Sequence, residues 1–139
     1  MTPPPDQNPP LTSLGALADR MGMQLVEAAR GRVVATMPVE GNTQPYGLLN
    51  GGASAVMAET IGSIAAALHA GPGHYPVGLD LNCTHHRAVT EGVVTGIATP
   101  ITEGRTIASY DIRMTDDAGR PVCSARLTCL IRPLPDSHE

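Results

Sequence analysis

Gly47–Leu68 reads GLLNGGASAVMAETIGSIAAAL, and how this run folds decides the architecture of the chain. Apolar residues recur at Val56, Met57, Ile61, Ile64 and Leu68, and alanines fill most other positions. The pattern predicts a helix buried on nearly all sides. Glu59 is its only ionisable residue. A carboxylate there is either structural, held by a backbone amide or an arginine, or a catalytic acid whose ionisation is tuned by burial. The residues alone leave both readings open.

Working outward, 139 residues make one domain with room for a core. There is no Phe or Trp and only three Tyr, so that core is aliphatic and Met-rich. All nine basic residues are Arg, the formal charge is −4, and no basic block appears, which argues against nucleic acid as a partner. Cys83, Cys123 and Cys129 are odd in number and match no zinc or redox spacing; they read as small core hydrophobes. Reduced thiols point to the cytoplasm. MTPPPDQNPP lacks a positive region followed by an apolar one, so no secretory signal is expected. The long apolar run contains Asn50, Glu59 and four glycines, and is read as a core helix with no membrane association.

Residues 1–10, with five prolines, form a flexible lead-in, 11–132 the domain, and 133–139 a tail. Leu11–Met21 reads as a short amphipathic helix capped by Thr12 or Ser13. Gln24–Ala29 and Arg32–Val39 form a hairpin through Arg30-Gly31, with Pro38 closing or edging its second strand. Glu40–Leu49 is a loop feeding the central helix, and Ala70–Pro76 breaks the chain after it. Four strands follow, at about Val77–Ala88, Gly92–Thr102, Thr106–Thr115 and Val122–Ile131, separated by turn residues. Ile107, Ser109, Asp111 and Arg113 alternate with Ala108, Tyr110, Ile112 and Met114, the period of a half-buried antiparallel sheet. The expected class is α+β: five to six antiparallel strands wrapped around one long helix.

The order of elements, the run TQPYGLLNGGASAVMAETIGS and the later GLDLNCTHHR resemble the hotdog-fold acyl-CoA thioesterases. Within them the chain is most similar to the branch acting on 1,4-dihydroxy-2-naphthoyl-CoA and to the Arthrobacter-type 4-hydroxybenzoyl-CoA thioesterases. The resemblance covers residues 11–132 and implies hydrolysis of an aryl- or acyl-CoA thioester, with no cofactor beyond the CoA of the substrate. It places Glu59 as the catalytic carboxylate, acting as nucleophile or as the base that activates water. Gly51, opening the helix, becomes an oxyanion donor, and Gly52 beside it a substrate-binding residue. Ser63, one turn after Glu59, holds the carboxylate or the water, and Gln44 orients substrate or water.

Asn50 departs from the resemblance, standing where a histidine is usual. Its amide can donate a hydrogen bond but cannot exchange a proton near neutral pH. This departure motivates the alternative of a weakly active or non-catalytic acyl-CoA-binding protein. His85 or His86 is expected to line the acyl pocket, with Arg87 and Arg105 meeting CoA phosphates. Adjacent strand histidines face opposite sides and no third ligand is spaced to join them, so no metal is expected. The resemblance also implies a homodimer or homotetramer with sites between subunits.

Overall fold

The computed structural model describes residues 14–136. In chain order the elements are α1 (Ala16–Arg20), β1 (Gln24–Ala29), β2 (Arg32–Pro38), α2 (Gly51–Ala70), β3 (His74–His85), β4 (Val93–Glu103), β5 (Ile107–Thr115) and β6 (Pro121–Pro133). The strands form one antiparallel sheet in the order β1-β2-β4-β5-β6-β3. All six touch α2, so the sheet wraps the helix as expected.

The alternation in β5 sorts as its sequence predicts: Ala108, Tyr110, Ile112 and Met114 are sealed against the helix and Ile107, Ser109, Asp111 and Arg113 are not. Met37, Met57, Ile61, Ile112, Met114 and Leu127 are among the largest fully buried side chains, an aliphatic and thioether core around the single buried ring of Tyr110. Cys123 and Cys129 are buried and Cys83 is half-buried. Burial pushes the Cys123 thiol up to about 12 and the Cys129 thiol up to about 11, so both stay protonated hydrophobes at neutral pH.

Several boundaries move. The first helix occupies only Ala16–Arg20, because Gly15 precedes it at φ 98°, outside helical space. The expected caps Thr12 and Ser13, the proline-rich lead-in and residues 137–139 of the tail lie outside the described residues. β3 starts three residues early and ends three early. Pro76 is accommodated because β3 is an edge strand, and pairing stops at His85↔Cys123, close to where β6 begins. His86 and Arg87 therefore lie beyond the strand rather than at its end.

Contrary to the expectation of burial on nearly all sides, α2 is covered by this chain on one face only, because the sheet is a single layer. Ala53, Ser54, Met57, Ala58, Ile61, Gly62, Ala65 and Ala66 are buried, while Val56, Glu59, Thr60, Ser63, Ile64 and Leu68 remain half-buried. The helix is long and apolar enough to cross a membrane by length and composition, but its inner face is sealed under the sheet. Gly62 sets how close that packing is. A Cβ there would stand 2.6 Å from Leu127 Cδ2 and 3.2 Å from Leu127 Cβ, and Leu127 is fully buried. Gly62→Ala is therefore expected to lower stability by about 1–2 kcal/mol, overpacking outweighing the gain in helix propensity. A lower urea midpoint at unchanged slope checks this.

Candidate active site

The loop before α2 is tied down by its own backbone and by asparagine. Gln44 N donates to Leu48 O at 2.8 Å, Gly47 N to Gln44 O at 3.0 Å, and Asn50 N to Asn42 O at 2.9 Å. Asn42 Nδ2 reaches Met21 O at 2.7 Å and Pro38 O at 2.8 Å, fixing the loop to the strand before it. Within this frame Gln44 Oε1 accepts from the Tyr46 and Leu48 amides. That orients the side chain and leaves its NH₂ as the group to face a ligand.

Asn50 is the N-cap of α2. Its Oδ1 accepts from Gly52 N at 2.8 Å, and its carbonyl accepts from Ala53 N at 2.9 Å. Asparagine is among the best capping residues, so its presence has a local cause. Capping occupies the Gly52 amide and leaves the Gly51 N–H without a partner among the described residues. An unpaired amide at the positive end of a twenty-residue helix is suited to an oxyanion.

A cavity of about 380 Å³ opens over this amide, lined by Gln44, Leu48, Leu49, Gly51, Ser54, His85, His86, Arg87, Ala88 and Val122. The His85 ring lies on Gly51: a Cβ there would stand 2.9 Å from Nε2, so only glycine admits the contact. His86 is anchored to β6, its Nε2 2.9 Å from Ser124 Oγ. Both histidines border the same cavity because His86 has left the strand, which removes the alternation expected of them. Arg87 makes no ion pair among the described residues and so stands ready for an anionic group.

The remaining candidates are elsewhere. Asn50 and Gly52 border a neighbouring cleft of about 410 Å³, with Met21, Gly41, Asn42, Thr43, Ala53 and Val56. Glu59 follows Gly51 by eight residues, about 12 Å along the helix axis, and Ser63 lies one turn further. The Glu59 carboxylate is half-buried and has neither hydrogen bond nor ion pair among the described residues, so the network of a structural acid is absent there. It lies against Gly78 of β3, and its charge contributes to raising the Cys129 thiol. Ser63 shows no bond back to the helix, whereas its neighbour Thr60 donates to Val56 O at 2.7 Å. Arg105 is at the far end of α2. His69 holds that hairpin through Gly104 O at 2.7 Å, and the chain does not bring Arg105 to the cavity. Among the described residues no His, Cys, Asp and Glu cluster could hold a metal ion.

Sequence reasoning did not single out Gly78. Its signal was present, a glycine inside a strand, which often marks a close approach.

Comparison with known proteins gives consistent results. A profile of the Thioesterase superfamily matches residues 46–123. The proofreading thioesterase EntH of Cronobacter turicensis is 40% identical over 86% of this chain and 88% of that protein. A thioesterase from Haemophilus influenzae, solved by crystallography, superposes with a TM-score of 0.83 at 38% identity, covering 88% of this chain and 87% of that one. A Staphylococcus aureus protein gives a TM-score of 0.80 at 32% identity over 85% of this chain and 99% of its own. That protein was crystallised with alanine replacing a glutamate and, separately, a glutamine, at positions fifteen residues apart.

Proposed function

Since the chain belongs to the thioesterase superfamily and is a hotdog-fold thioester hydrolase, we propose that it cleaves an aryl- or acyl-CoA to the free acid and CoA at sites shared between two copies. The observation that carries this reading is the separation of two unpartnered groups on one helix. The Gly51 amide and the Glu59 carboxylate are about 12 Å apart along the axis, and a carboxylate leaning one turn back still leaves roughly 7 Å. Both must come within about 3 Å of one carbonyl group to act on it. In this chain Glu59 lies against Gly78 and Gly51 against His85, seven residues further along β3, so the carboxylate is held away from the amide and one chain does not meet that condition. A second copy packed on the half-exposed face of α2 brings its Glu59 and Ser63 to the Gly51 and Gln44 of the first.

In this site the Gly51 N–H and the Gln44 NH₂ stabilise the oxyanion that forms when the thioester carbonyl is attacked. Glu59 of the other copy supplies the attack in one of two ways. As a base it takes a proton from water while the water oxygen bonds to the carbonyl carbon; collapse then breaks the C–S bond and the proton passes to the thiolate. As a nucleophile it forms a mixed anhydride, expels the thiolate, and is released by water. Ser63 holds the carboxylate or the water, His85 lines the acyl side of the cavity, and Arg87 meets a phosphate of CoA. The fifteen-residue spacing of Gln44 and Glu59 equals that of the two residues replaced in the Staphylococcus aureus protein, which supports pairing them in one site. Asn50 caps the helix and retains an NH₂ donor.

The test is release of free thiol from a panel of aryl- and fatty acyl-CoAs. Turnover well above the uncatalysed rate is expected with at least one class. CoA esters that bind at micromolar concentration and release no thiol overturn the reading in favour of a binding protein.

A further inference from the structure

β3 changes phase beside Glu59. Leu81 and Cys83 pack toward the core and His85 lies on Gly51, so alternate residues from Leu81 onward face α2. Continued backwards, that alternation would turn Leu79 toward the helix. It does not, because the register with β6 shifts between Gly78 and Asp80: Gly78 pairs with Cys129, Asp80 with Thr128, and Leu79 is the extra residue, 54% exposed. The bulge therefore presents Gly78 to α2 in place of a leucine. A Cβ on Gly78 would stand 2.7 Å from Glu59 Oε1, with the rest of the carboxylate at 3.6–3.8 Å.

Backbone conformation does not explain this glycine, since Gly78 is not among those at positive φ. Gly62 faces a fully buried leucine and serves packing; Gly78 faces only the end of a flexible charged side chain. We propose that Gly78, turned inward by the bulge at Leu79, is a positioning residue for thioester hydrolysis: together they leave open the notch in which the Glu59 carboxylate lies. Bulges recur beside active sites because they re-aim what a strand presents. The inference rests on Glu59 being the reacting carboxylate.

The experiment is Gly78→Ala, measured for thiol release, for binding of a non-hydrolysable acyl-CoA thioether, and for thermal unfolding. The added methyl moves the carboxylate, so kcat falls on the order of 10–100-fold while KM and thioether binding stay within about twofold. Glu59→Asp in the Gly78→Ala background, one methylene shorter, recovers part of the loss. Unchanged kcat in Gly78→Ala overturns the inference. If Gly78→Ala also lowers the melting temperature, the same change in Glu59→Ala decides: a cost that vanishes there arises from the carboxylate and supports the notch, and a cost that persists makes Gly78 structural. Failure of the underlying reading looks different, because Glu59→Gln would then keep its activity whatever Gly78→Ala does.

Discussion

Glu59→Gln is expected to reduce kcat on the order of 10³-fold or more, with acyl-CoA binding retained. The amide has the shape of the carboxylate, so it fills the same place against Gly78, and Glu59 has no hydrogen bond or ion pair among the described residues to lose. What disappears is the ability to take a proton or to attack a carbonyl. Steady-state thiol release together with thioether affinity separates the two effects, and a kcat within a few-fold of wild type would exclude Glu59 from the chemistry. The two routes open to Glu59 differ in a single turnover in heavy-oxygen water. A base delivers solvent oxygen to the product acid, whereas an anhydride hydrolysed at the Glu59 carbonyl leaves it in the protein.

Mixing two inactive variants is expected to restore activity. In a dimer of one Glu59→Gln protomer and one Gln44→Ala protomer, one shared site carries both changes and the other carries neither. Gln44→Ala alone removes an oxyanion donor and costs on the order of 10²–10³-fold. Random assembly of equal amounts then returns about a quarter of the wild-type sites, far above either parent. Co-expression with two affinity tags and isolation of the mixed species, which carries one wild-type site in two, is expected to return about half of the wild-type activity. Activity equal to the mean of the parents would mean that Gln44 and Glu59 act within one chain, against the separation of Gly51 and Glu59 along α2.

Much of the fold is legible in the sequence. α2 announced itself through length and small apolar residues, β5 through strict alternation, and the first hairpin through Gly31, at positive φ in its turn. The errors share a cause. β3 was placed three residues late because Pro76 looks like a breaker; only its edge position makes it tolerable, and edge position is a property of the assembled sheet. The first helix reads too long because the amphipathic pattern of Leu11–Met21 does not reveal that Gly15 takes a positive φ of 98°, outside helical space.

The candidate site divides in the same way. Glu59 stood out as the one ionisable group on its helix, and Gly51 and Asn50 as a helix opening. That the Asn50 side-chain Oδ1 accepts from Gly52 N, that His86 joins His85 at one cavity, and that Arg105 sits at the opposite end of α2 depend on where loops and strand ends meet in space.

The sequence by itself determined the elements and the chemistry available to this protein, because periodicity and side-chain type are local properties. The tertiary structure decided which groups meet. Packing leaves one face of α2 half-covered, and a single extra residue in β3 puts a glycine, rather than a leucine, beneath the carboxylate. Register and helix docking are settled by contacts between residues far apart in the chain, which no local pattern records.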